Sequence, residues 1–337
     1  MYLGADLSYV NEVEDSGGVF YADGKAADPF HILRQAGANI VRVRLWHTPD
    51  SWTKYSTLSD VERTISRARA LGYHVLLDFH YSDTWADPAK QIIPAAWEGI
   101  SEVDTLAAAL AAYTRDVLLH LNERGLMPEF VQVGNEINTE ILMPGPHAGE
   151  EIRWERNARL LNAAIAAVRE AGQQTETQPQ VMLHIAQPEF VLGWFDTATA
   201  AGVRDFDIIG LSYYPKWSSY NIDQMGQTVA QARQRYGKQV MLVEVAYPWT
   251  QELCLVEEHL LGEDAALPEY PASPEGQRDF LIDVTNVVRS SGGSGVIYWE
   301  PAWISTASKP SIWENATFFD YDGAVHAGIT FLSQAKE

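Results

Sequence analysis

The sequence predicts an α/β fold, a single (β/α)8 TIM barrel over residues 1–337. Three observations carry that prediction. Eight short runs rich in Val, Ile and Leu recur along the chain, longer amphipathic stretches separate them, and polar and aromatic residues gather where each run ends. Near-continuous apolar strands belong to a parallel sheet covered on both faces. Eight evenly spaced units favour closure over an open doubly wound sheet. No charge block, low-complexity tract or Pro/Ser-rich linker interrupts them, so one catalytic domain is expected.

The elements follow in order. A first strand at 2–8 is succeeded by the helical "PFHILRQAG", and a second at 40–46 by "LSDVERTISRARALG". The third strand, 74–80, precedes "SEVDTLAAALAAYTRDVLLHLNERG", whose apolar residues recur every three and four positions. Strand four at 129–134 leads to "GEEIRWERNARLLNAAIAAVREAG", and strand five at 180–186 to the shorter "EFVLGWFDTATAAG". Strands six (207–213) and seven (239–245) are followed by "IDQMGQTVAQARQRYG" and "EGQRDFLIDVTNVVRSSGG", and 295–299 closes the set. Several of these helical stretches end in Gly, the usual residue of a left-handed C-cap.

Bulk composition excludes several roles. A net charge of -21 repels phosphates, which argues against nucleic acid or an anionic membrane surface as partner. No apolar run approaches the roughly 18 residues of a membrane span. Cys254 is the only cysteine, ruling out an intramolecular disulfide or a Cys-based metal cluster. The start, "MYLGADLSYV", lacks the basic and apolar regions of a signal peptide. The sequon at Asn315 reads as chance.

Chemistry in such a barrel belongs at the C-terminal ends of the strands. There the chain places Asp6, Arg44, Asp78, His80, Asn135, Glu136, Tyr213, Glu244 and Trp299. Glu136 ends strand four and Glu244 ends strand seven, across the barrel mouth from one another. Glycosidic hydrolysis needs such a pair: one carboxyl protonates the leaving oxygen and the other meets the developing oxocarbenium carbon. Asn135 is expected to hydrogen-bond a sugar hydroxyl. Arg44 is expected to hold Glu244 ionised, with a hydrogen bond from Tyr213.

All but Trp154 and Trp194 of the 11 tryptophans fall at strand ends or in the loops after them. Flat, apolar rings with few degrees of freedom suit pyranose faces. Trp85, Trp299 and Trp303 are the preferred contacts, with Trp249, His80 and Asp83 completing the expected binding set. Asp78 and His80 are expected to face different directions and to form no chelate, and no HExxH occurs. No metal ligand is assigned. Glu252, Glu257, Glu258, Glu263 and Asp264 match no calcium loop and read as a solvated acidic loop.

The segments "GADLSYV", "ANIVRVRLW", "LLDFHYSDTWADPAKQ", "VQVGNEI", "LSYYPKW", "VEVAYPWT" and "GVIYWEPAWI" resemble the arabinogalactan endo-β-1,4-galactanases of glycoside hydrolase family 53. They run in order from residue 4 to residue 304. The resemblance implies a retaining double displacement, with Glu136 as acid/base and Glu244 as nucleophile. It implies endo-cleavage of β-1,4-galactan or galacto-oligosaccharide. The expected enzyme is a secreted, cell-surface or periplasmic monomer that requires no cofactor; a structural calcium is compatible with the acidic loop but has no clear motif behind it. The chain departs from the family pattern at Val245, at Gln187–Pro188 and in "YPKWSSY", which bears on chain-length preference. Competing expectations are a mannanase or glucanase of the same geometry, a non-catalytic polysaccharide-binding barrel and a metal-dependent hydrolase.

Overall fold

Eight parallel strands close into a barrel: β1 (Tyr2–Asp6), β2 (Ile40–Leu45), β3 (His74–Phe79), β4 (Phe130–Val133), β5 (Gln180–Ala186), β6 (Ile208–Tyr213), β7 (Gln239–Val245) and β8 (Gly295–Tyr298). In this computed structural model, which describes residues 1–147 and 149–334, each strand pairs with the next and β8 returns to β1. Every expected strand is present. The expected 129–134 shortens because Gly134 takes φ +83° and turns the chain out of the sheet.

The crossover helices are Pro29–Ala36, Leu58–Ala70, Val103–Glu123, Trp154–Gln173, Pro188–Ala200, Ile222–Tyr236 and Pro274–Ser290. Their starts are set by side chains that accept from otherwise unpaired amides: Asp28, Thr57, Ser273, and Asn221 in a capping box with Gln224. Apolar faces of these helices pack on the outward residues of the strands to form the larger core.

A smaller cluster plugs the barrel from within. Ile40, Leu76, Phe130, Met182, Ile208, Met241, Val243 and Ile297 fill its floor. Two residues further along, inward positions turn polar: Arg42, Asp78, Gln132 and His184 are all buried. The period of two along a strand makes this layering. A dry floor beneath a polar layer opens the site at one end only. The sequon asparagine is excluded from glycosylation by its surroundings, since Asn315 is fully buried and donates to the Leu261 carbonyl at 2.8 Å.

Candidate active site

Local backbone features aim both glutamates into the mouth. After β4, Gly134 (φ +83°) begins a turn in which Glu136 itself sits at φ +44°, a left-handed conformation costly for a residue with a Cβ. Gln91 holds this turn by donating to the Asn135 carbonyl at 2.8 Å. On β7 a bulge does the same work. Leu211 pairs with Leu242, but Ser212 pairs with Glu244, leaving Val243 as the extra residue. Val243 thus joins the inner floor while Glu244, directly after it, still points into the cavity.

Carboxylate oxygens of Glu136 and Glu244 lie within 4.8 Å of each other. Their surroundings differ sharply. Glu244 receives Arg42 Nη1 at 2.9 Å on one oxygen and the Tyr214 hydroxyl at 2.9 Å on the other. Arg42 also contacts Asp6 (2.9 Å) and Asp78 (2.8 Å). Burial opposes its charge, but Asp78, Glu244 and Asp6 outweigh it and keep the guanidinium protonated. Among the described residues the Glu136 carboxyl has a single donor, the neutral Ser212 hydroxyl at 2.6 Å.

Burial pushes Glu136 well above the usual carboxylate range, and the charge of Glu244 pushes it further. Burial raises Glu244 as well, to about 7, with the charges of Asp78 and Asp6 adding to the rise and Arg42 and Tyr214 opposing it, so it stays below Glu136. The proton of the pair therefore resides on Glu136 and the charge on Glu244. Two carboxyls driven apart in this way take different tasks.

His184 supports this division. Burial and then Arg42 hold it well below the ordinary imidazole range, so it is neutral. Its Nδ1 accepts from the Glu136 amide at 3.2 Å, and Nε2 lies 2.8 Å from Ser212 Oγ. With Ser212 donating to Glu136, the consistent tautomer carries its proton on Nε2. Glu136, His184 and Glu244 could each offer an atom to one metal ion by distance alone. His184 has no lone pair left for it, because Nδ1 accepts from an amide and Nε2 is protonated.

Of the residues expected from sequence, Glu136, Glu244, Asn135, His80, Trp85, Trp299, Trp303 and Arg44 line one cavity of about 600 Å³. Several partners differ from expectation. Arg44 does not hold Glu244; its guanidinium reaches Glu300 at 3.4 Å and lies 4.1 Å from the centre of the Trp85 ring. Arg42, one inward position deeper, takes the role assigned to Arg44. Tyr213 points out of the barrel and donates to the Tyr220 carbonyl at 3.1 Å, so Tyr214 supplies the hydroxyl.

Asp83 and Trp249 stand outside the cavity lining. Asp83 accepts from the amides of Thr48 (2.8 Å) and Ala95 (2.9 Å), pinning two loops together. Trp249 donates to the Glu314 carbonyl at 3.1 Å and packs on Tyr321 and His326. Asp78 and His80 share a face rather than diverging, with His80 Nε2 at 3.1 Å from Asp78 Oδ2, as the two-residue period of a strand requires. In the acidic loop, Asp264 pairs with Lys216 at 2.9 Å.

The Tyr214 hydroxyl gives a testable consequence. Its hydrogen bond favours the ionised form of Glu244, so Tyr214→Phe raises the Glu244 pKa. The acidic limb of the kcat/KM profile then moves to higher pH. Loss of a hydrogen bond to a charged group costs about tenfold or more in kcat/KM at the optimum. A profile unmoved on its acidic side would show that Tyr214 does not tune Glu244.

Comparison with known proteins finds matches across nearly the whole chain. The sequence model for glycosyl hydrolase family 53 matches residues 2–332. An arabinogalactan endo-β-1,4-galactanase from Cellvibrio japonicus (strain Ueda107) is 52% identical, covering 98% of this chain and 89% of that protein. The Ignisphaera aggregans GH53 catalytic domain superposes with a TM-score of 0.90 at 30% identity, covering 99% of this chain and 96% of its own. A structure from a study of two fungal β-1,4-galactanases gives a TM-score of 0.86 at 31% identity, with 99% of both chains covered.

Proposed function

Because the chain belongs to glycosyl hydrolase family 53, we propose that its cleft is the active site of an arabinogalactan endo-β-1,4-galactanase, hydrolysing internal bonds of β-1,4-galactan by a retaining double displacement. The observation that carries the mechanistic reading is the pair of carboxyl groups within 4.8 Å, one charge-paired and one not. That spacing suits direct attack by one of them; an inverting enzyme needs roughly 6.5–9.5 Å to admit a water.

In the first step Glu244 attacks the anomeric carbon while Glu136 gives its proton to the glycosidic oxygen. The departing chain leaves as an alcohol and a galactosyl ester forms on Glu244. Glu136, now ionised, takes a proton from water. That water displaces Glu244 and restores the β-configuration. Arg42 and the Tyr214 hydroxyl keep Glu244 nucleophilic in the resting enzyme. Trp85, Trp299 and Trp303 offer ring faces to the sugars.

We place the enzyme outside the cytoplasm, where its polymeric substrate is found, and read it as a monomer that works without a cofactor. No helix among the described residues is long and apolar enough to cross a membrane. The substrate assignment is tested by reducing-sugar release from linear β-1,4-galactan, β-mannan and carboxymethylcellulose. Galactan alone is expected to be cut, with oligosaccharides appearing before monosaccharide. Faster release from mannan or carboxymethylcellulose would shift the assignment to an equatorial C4 sugar.

A further inference from the structure

The cavity has a second apolar wall that the chemistry of the two carboxyls does not use. Phe190, Trp217, Leu260 and Ile312 all line it and are exposed, Phe190 by 55%. They come from the segments after β5, β6, β7 and β8 and are tied together. The Leu260 amide donates to the Ile312 carbonyl at 3.0 Å, and Lys216 Nζ donates to the Leu260 carbonyl at 3.1 Å. Glu189, beside Phe190, accepts from the Ser219 amide at 2.7 Å and the Ser218 hydroxyl at 2.7 Å, fixing the β6 loop to the start of the Phe190 helix. Single exposed apolar residues need no explanation. Four converging on a polar-floored cleft mark a ligand surface.

The arrangement around the two glutamates says which part of a substrate this wall meets. Around the barrel, β5 and β6 lie between the two glutamate strands on one arc and β8, β1, β2 and β3 on the other. Arg42, Asp78, His80 and Trp299 come from this second arc, which through Arg42 holds Glu244, so the sugar that becomes bonded to Glu244 is placed against it. On the first arc, Asn138, two residues after Glu136, is locked to β5 by Nδ2 to the Ala186 carbonyl (2.9 Å) and Oδ1 from the Ala186 amide (2.8 Å). Gln187 and Phe190 carry the wall onward from there. The departing chain begins at the oxygen that Glu136 protonates, so it runs along this side.

We infer that Phe190 is a stacking platform for the first galactosyl residue of the departing chain, with Trp217 extending the surface. The inference rests on the galactanase reading above. Galactose suits it chemically: the axial C4 hydroxyl leaves the hydrogens of C3, C4 and C5 on one face, an apolar patch that an aromatic ring can cover.

The test compares two substrates. Galactotetraose places sugars on both sides of the cut bond, whereas β-galactobiosyl fluoride places none beyond it. Wild-type cleavage of galactotetraose is measured first, and its absence overturns the galactanase reading and this one together. With that cleavage established, Phe190→Ala is expected to lower kcat/KM for galactotetraose about tenfold, while galactobiosyl fluoride stays within about twofold. Phe190→Tyr, which keeps a ring, is expected to restore the tetraose value. Equal effects of Phe190→Ala on both substrates, or none on either, overturn the proposal.

Discussion

Glu244→Ala stops galactan hydrolysis, with kcat falling by about 10⁴-fold or more, the scale of loss when one member of a concerted catalytic group is deleted. The loss follows from geometry: with Glu244 gone, no group near the anomeric carbon can form the ester. The variant also leaves a small space beside Arg42. Sodium azide can enter it and, with an activated aryl galactobioside, attack from the Glu244 face. That single displacement yields an α-galactosyl azide. A variant that retains kcat within about tenfold of wild type, or that forms β-azide, would remove Glu244 from the nucleophile's role. Neutralising this carboxylate also withdraws the charge that helps hold the proton on Glu136, so Glu244→Gln is expected to lower the Glu136 pKa.

Glu136→Ala produces the opposite pattern. Cleavage of galactan, whose leaving group is a poor alcohol, drops about 10²–10⁴-fold, the usual contribution of a positioned general acid. An aryl galactobioside with a good leaving group needs no such proton and still forms the ester on Glu244. Water then attacks slowly, and azide, which needs no general base, restores turnover to give a β-galactosyl azide through two inversions. The basic limb of the pH profile disappears, because in the wild type it reports Glu136 losing its proton. A retained basic limb, or equal damage to both substrates, would assign the acid to another residue.

Much of this architecture is legible in the amino-acid order. Apolar runs such as "HVLLDF" and "QVMLVEV" mark buried parallel strands, and their polar termini mark the open end. Glu136 is announced by Gly134 and Asn135. What the order hides is parity. Arg42 and Arg44 both point inward, and nothing in "VRVRL" says that the deeper one reaches Glu244. Strict alternation would also turn Glu244 outward after the inward Val243; the bulge on β7 reverses it, and a bulge leaves no mark in "VMLVEVAY". Tyr213 and Tyr214 show the reverse case, since alternation from the inward Ser212 already sends Tyr213 out and Tyr214 in. Asp83 and Trp249 sit in long loops whose paths are set by tertiary hydrogen bonds, so residue type alone draws both toward the site although neither lines it.

The most direct test of a covalent Glu244 intermediate is the anomeric form of the first product. Proton NMR of the hydrolysis of borohydride-reduced galactotetraose, whose only reducing ends are those made by cleavage, read before mutarotation mixes the anomers, is predicted to show the β-anomer of the released sugar first and the α-anomer rising only later. The α-anomer appearing first would mean a single inverting displacement by water, and would contradict a site built on two carboxyl groups within 4.8 Å of each other.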